Sequence, residues 1–139
     1  MRNRLLCFAI CLLGLLSLPG YAQPEAQDET FRAVIAADGK QRIRILGGSY
    51  FFKPSHIIVK ANVPVELSAS LEPGIVPHTL VIDGAEAGIA IDAVLGAEIK
   101  TFVFTATSTG KFPVYCKNRL LFFKSHREKG MAGILEVVE

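Results

Sequence analysis

The chain has no Gly-rich phosphate loop, no internal repeat and no cluster of basic residues large enough to hold nucleic acid. These absences exclude phosphate-loop chemistry, repeat architectures and nucleic-acid partners. No stretch beyond the N-terminus has the apolar periodicity of a long helix. Residues that bind soft metals are scarce too: three histidines, two methionines and three cysteines in 139 residues.

The N-terminus is set apart from the rest. Met1-Arg2-Asn3-Arg4 carries two positive charges, and Leu5 to Leu18 is largely apolar. Pro19-Gly20 then breaks the run, and Gly20-Tyr21-Ala22 offers small residues around a cleavage point. This is the pattern of a secretory signal peptide over residues 1–22. A transmembrane anchor needs about 20 apolar residues, more than this run supplies. Neither Leu-Leu-Cys7 nor Ala-Ile-Cys11 has the Leu-x-small-Cys form of a lipoprotein. The expected location is therefore periplasmic or secreted, with no membrane association once the signal is cleaved.

Cleavage alters the composition. Loss of Arg2 and Arg4 leaves 13 basic residues against 13 acidic ones, so the formal charge of +2 falls to zero. Cys7 and Cys11 also leave, and Cys116 remains alone. One cysteine in an exported chain makes no internal disulfide, so it is a free thiol, an intermolecular partner or a ligand. An oxidising compartment favours a protected role. Residues 23–30 are polar and patternless, which reads as a flexible leader. Residues 31–139 suit one domain with one core, expected to be a monomer.

From Phe31 onward the apolar pattern has period two. Ile43 and Ile45 alternate with Arg42 and Arg44, and Val65-Glu66-Leu67-Ser68-Ala69 alternates in the same way. Ile57-Val59, Thr79–Ile82, Ile99–Thr105, Phe112–Tyr115 and Ile134–Val138 read as further strands. Turn signals separate them at Gly47-Gly48, Asn62-Val63-Pro64, Glu72-Pro73-Gly74, Asp83-Gly84 and Thr109-Gly110. Seven to eight short strands predict an all-β fold, an antiparallel sandwich or barrel. Ala85 to Leu95 reads as an irregular excursion or short helix, and Leu120 to Ser125 as a helical turn.

The scarce donors are not scattered at random. His78 opens the apolar strand of "VPHTLVI", and Cys116 ends that of "GKFPVYC". His126 and Met131 follow before the last strand. A thiolate, two imidazoles and a thioether form a soft donor set suited to copper, with His₂Cys trigonal and Met weak and axial. Met131 also reads as simple core packing, and His56 as a surface residue.

On these residues the sequence resembles the cupredoxins, the small blue-copper proteins of the plastocyanin and azurin kind. "SYFFKPSHIIVKANVPVEL" is similar to the family's opening strands, "VPHTLVI" to the segment of its first histidine ligand, and "GKFPVYC", His126 and "GMAGILEV" to its closing ligand loop. The resemblance implies a Greek-key β-sandwich, one copper ion cycling between Cu(I) and Cu(II), and the ligands His78, Cys116, His126 and Met131. It also implies one-electron transfer between redox partners. Two departures stand out. Nine residues separate Cys116 from His126, where small carriers have two to four. The residue after the first histidine is Thr79, where the family often has an Asn that braces the cysteine loop.

The inserted segment is basic, with Lys117, Arg119, Lys124, Arg127 and Lys129 against Glu128. It reads either as a solvated rim or as a docking surface for an acidic redox partner over Lys117–Lys129. Leu120, Leu121, Phe122 and Phe123 are expected to pack in part over the copper site, leaving one or two exposed. The alternative function is a periplasmic copper carrier delivering the metal to an oxidase, which favours Met- and His-rich open motifs that are missing here. An enzyme with a second copper site needs more histidines than His56 supplies, so no catalytic role is expected.

Overall fold

Every second side chain of the segment from Gln41 points inward, and the chain folds accordingly. In the computed structural model, which describes residues 29–139, strand β2 (Gln41–Gly48) alternates buried and exposed side chains along most of its length. The predicted signal peptide, 1–22, and all of the predicted leader before residue 29 lie outside the described residues. Strand β1 (Thr30–Arg32) begins within the last residues of that leader.

The remaining strands are β3 (Phe51–Lys53), β4 (His56–Lys60), β5 (Pro64–Leu71), β6 (His78–Gly84), β7 (Ile89–Leu95), β8 (Lys100–Thr105), β9 (Gly110–Tyr115) and β10 (Ala132–Val138). They form a six-stranded sheet in the order β1-β4-β10-β9-β6-β7 and a four-stranded sheet in the order β3-β2-β5-β8. The expected sandwich is present, with ten strands among the described residues. Two of them, β1 and β3, are three residues long, too short for a periodic signal. The segment Ala85–Leu95 resolves into a 3-10 turn, Ala85–Ala87, and strand β7.

Both sheets are mixed, where the sequence suggested antiparallel pairing. Strand β4 runs parallel to both β1 and β10, and β2 runs parallel to β5. Such pairs join residues distant in sequence, and local alternation does not encode their direction. The core between the sheets is built from Ile45, Leu67, Leu80, Ile82 and Leu135, all essentially buried. Burying an aliphatic side chain of this size contributes about 1.5–3 kcal/mol.

The pairing that matters for function is β10-β9-β6. Strand β9 is antiparallel to both neighbours, with Tyr115 opposite Ala132 of β10 and Val81 of β6. The C-terminal end of β9 therefore lies beside the N-terminal ends of β6 and β10. His78 at the start of β6, Cys116 just after β9 and Met131 just before β10 are thus brought to one end of one sheet. Gly133 helps β10 reach that position, because a Cβ there would lie 2.2 Å from the Ser55 carbonyl oxygen.

At the opposite end of β10, Gln41 is fully buried. Its side-chain amide donates to the Lys60 carbonyl at 3.1 Å, and its side-chain oxygen accepts from the Lys60 N–H at 2.7 Å. Gln41→Ala removes both bonds and should cost about 1–3 kcal/mol in a urea denaturation experiment. Copper stoichiometry should be unchanged, because the donor cluster lies at the other end of the sheet.

Candidate metal centre

His78, Cys116 and His126 converge as a buried cluster whose donor atoms all lie within 4.8 Å of one another. The two Nδ1 atoms are 3.0 Å apart. Cys116 Sγ lies 3.9 Å from His78 Nδ1 and 3.5 Å from His126 Nδ1. The point equidistant from the corners of that triangle is about 2.0 Å from each donor, close to ordinary metal–nitrogen and metal–sulfur bond lengths. The donor set and the spacing therefore both fit a copper ion held by two imidazoles and a thiolate. Among the described residues this is the only group of three or more His, Cys, Asp or Glu side chains so arranged.

Burial holds the imidazole of His78 below its ordinary pKa, and the charge of His126 adds to the effect. Burial also lowers His126, helped by the positive charge of Lys129. Both rings are thereby biased toward the neutral form that ligates metal.

Thr79 makes up for the absent Asn. Its backbone N–H points at Cys116 Sγ at 3.3 Å. Its hydroxyl accepts from the Lys117 N–H at 3.0 Å and donates to Asn118 Oδ1 at 3.0 Å. Asn118 in turn donates its side-chain amide to the Pro77 carbonyl at 2.8 Å. The brace between the two ligand segments is thus made by Thr79 and Asn118 together. Asn118 went unnoticed in the sequence because its partners are 39 and 41 residues away.

His126 is set by local hydrogen bonds. Its N–H donates to the Asn118 carbonyl at 2.9 Å, closing the base of the inserted loop. Ser125 and Glu128 form a reciprocal capping box: the Glu128 N–H donates to Ser125 Oγ, and the Ser125 N–H and hydroxyl donate to Glu128 Oε2. These bonds pull the Glu128 carboxyl down to a pKa of about 2. The His126 carbonyl then accepts from the N–H groups of Lys129 and Met131. The S-x-x-E spacing was available in the sequence as a signal for this turn.

Tyr50 closes the cluster from the other sheet. Its ring stands edge-on to His126 at 5.0 Å and to His78 at 6.1 Å. Lys129 lies over the Tyr50 ring at 4.4 Å and donates to its hydroxyl at 3.2 Å. Tyr50 has a φ of 66°, a left-handed conformation that non-glycine residues adopt at a cost of about 1–2 kcal/mol. No sequence pattern marked it as part of the site.

Met131 is fully buried beside the cluster, and its carbonyl accepts from the Cys116 N–H at 3.1 Å. His56 stands apart from the cluster. It is half-buried rather than free at the surface, with Nε2 at 2.8 Å from Glu136 and Nδ1 at 3.3 Å from the Thr30 hydroxyl. The expectation that Leu120–Phe123 would pack in part over the site is not met. Leu120, Leu121, Phe122 and Phe123 are 63%, 76%, 86% and 51% exposed. The bond from His126 to Asn118 pinches residues 119–125 off at their base, which leaves the excursion without an interior of its own. In place of the expected helical turn there is a β-turn, with the Phe123 N–H donating to the Leu120 carbonyl at 3.0 Å and Leu121 in the left-handed region.

No protein-family model matches the chain, and no curated protein matches it in sequence. Solved structures do. The metal-binding domain of the Cu(I)-exporting P-type ATPase CopA from Streptococcus pneumoniae D39, with Cu(I), superposes with a TM-score of 0.58 at 24% identity, over 81% of this chain and 98% of that one. Reduced auracyanin from Roseiflexus castenholzii gives 0.55 at 17%, over 70% and 97%. A copper-binding protein in its apo form gives 0.59 at 19%, over 80% and 99%. The chain has a cupredoxin-like fold.

The depressed imidazoles make a signed prediction for the copper-free protein. Well above about pH 6.5 both rings are neutral in either state and contribute no pH dependence. As the pH falls below that value, the unfolded chain takes up protons that the folded chain resists, so folding stability should decline. Urea denaturation between about pH 7.5 and about pH 5 measures the decline. The double variant His78→Gln, His126→Gln should flatten this region.

Proposed function

We propose that this protein is an exported one-electron carrier that holds a single copper ion. The observation that supports the reading best is the triangle of three buried donors, set around a point about 2.0 Å from each. Copper, when bound, supplies a one-electron couple between Cu(II) and Cu(I). His78, Cys116 and His126 are its ligands in this reading, and the buried Met131 is the weak axial one.

The chain's own part is to keep the donors in one arrangement for both oxidation states. The Thr79 N–H holds the sulfur, the Thr79–Asn118 brace ties its loop to β6, and the capping box fixes His126. Tyr50 and the sheets exclude water from the thiolate. No second donor cluster lies among the described residues, and His56 is engaged with Glu136 and Thr30. Both facts fit a carrier better than an enzyme.

The partner in this reading is an acidic redox protein that docks near Lys117–Lys129, close to His126. A second reading is a carrier that hands copper to an oxidase. The likeness to a Cu(I)-bound domain of a copper exporter keeps it in view.

Cu(II) added to the purified protein should give an intense visible thiolate-to-copper band at one equivalent, with reversible one-electron cycling. Cys116→Ser should abolish the band. A colourless complex that binds only Cu(I), with no reversible couple, overturns electron transfer and favours delivery. Docking should show as a rate of electron exchange with an acidic redox protein that falls as salt is added. A flat salt profile counts against it.

A further inference from the structure

The tip of the inserted loop has no covering among the described residues. Leu121 sits at a φ of 47°, and the turn from Leu120 to Phe123 leaves four consecutive apolar side chains at least half exposed. The rings of Phe122 and Phe123 touch each other, with centroids 4.8 Å apart. A second apolar ridge faces the tip. Ile75 is fully exposed and Val76 partly so, and with Leu120 and Phe123 they line a cavity of about 290 Å³ above Tyr50 and His126. Exposed apolar surface on this scale marks a contact.

The charges around the tip indicate what it contacts. Two of its five cations are matched, Lys117 by Asp92 at 2.5 Å and Arg119 by Glu128 at 2.9 Å. Lys124, Arg127 and Lys129 have no acidic partner among the described residues, and the last two lie over the rings of Tyr115 and Tyr50. Glu72 lines a separate cavity and forms no ion pair with these cations. An apolar tip ringed by unmatched cations suits a surface that is anionic outside and apolar beneath. Long cationic side chains keep their charge at such a boundary while aliphatic and aromatic side chains enter it. A second copy of this chain would bring the same unmatched cations against each other, which opposes self-association.

We propose that the Leu120–Phe123 tip inserts into the surface of a membrane containing anionic lipid, with Lys124, Arg127 and Lys129 against the headgroups. This departs from the sequence expectation of no membrane association once the signal is cleaved, which considered only the N-terminus. It requires no copper. Membrane contact and the proposed docking of an acidic redox protein draw on the same three cations, so at this loop they are alternative contacts.

The test is co-sedimentation of the purified protein, with and without copper, on two kinds of vesicle. One kind is phosphatidylcholine alone, and the other is equal parts phosphatidylcholine and phosphatidylglycerol. Binding should require the anionic lipid and be independent of copper. Leu121→Ser with Phe122→Ser should weaken it at least about tenfold, and Lys124→Gln with Arg127→Gln by several fold. All four positions are exposed, and an unchanged circular dichroism spectrum confirms folding. The chain contains no tryptophan, so Phe122→Trp provides a clean reporter whose emission should shift to the blue on anionic vesicles. Three results overturn the proposal. One is no binding to either vesicle. Another is binding that salt abolishes but the serine variant leaves intact, which is adsorption without insertion. The third is a concentration-dependent dimer that the serine variant abolishes, with no vesicle binding, which assigns the face to a second copy.

Discussion

The structure turns on the burial of two imidazoles and a thiol within 3.9 Å of one another. Polar groups removed from water at such spacing are costly unless each finds a partner. Here each does: the nitrogens face each other and the sulfur, and the Thr79 N–H covers the sulfur from behind. The antiparallel triplet β10-β9-β6 makes the arrangement possible by ending β9 where β6 and β10 begin. Tyr50, Thr79, Asn118 and the capping box all restrain groups that this one convergence has brought together.

The restraints are of two kinds, and they act over different distances. The capping box and the turn around the His126 carbonyl are local and form whenever residues 125–131 take up that turn. The Thr79–Asn118 brace and the Tyr50 roof are long-range and exist only once the sheets have assembled. A donor carried on a loop is thereby held as firmly as one carried on a strand. Such rigidity is what a redox couple needs, because a geometry that suits both oxidation states must not relax toward either.

How much of this was legible in the sequence follows from the same division. Period-two alternation marked strands such as β2 and β5. Strands β4 and β6 are instead buried along most of their length and were marked by their β-branched and apolar content. His78, Cys116 and His126 were legible because the chain has so few donors; the first two adjoin strand ends, and His126 lies in the loop between β9 and β10. The parallel pairs β1-β4, β4-β10 and β2-β5 were not, because strand direction depends on the path of the chain between strands. Tyr50 and Asn118 were missed for a related reason. An aromatic after a Gly-Gly turn and an amide in a basic loop look ordinary until the fold places them against a histidine and a threonine. The misjudgement of Leu120–Phe123 came from treating apolarity as burial, which holds only for segments that have something to pack against.

That last point explains why so long a ligand loop is compatible with a tight donor triangle. The bond from the His126 N–H to the Asn118 carbonyl closes the loop two residues past the cysteine. Seen from the donors, the connection is as short as the carbonyl of Asn118 makes it, whatever lies between. Arg119 paired with Glu128 at 2.9 Å reinforces the same closure from outside. Residues 120–124 are therefore released from any duty in ligation. Lengthening a loop whose ends are already fixed costs little entropy. Four apolar side chains held out in water carry a solvation cost that ligation does not repay. An excursion that is free of the metal and unfavourable in water calls for a contact beyond the described residues.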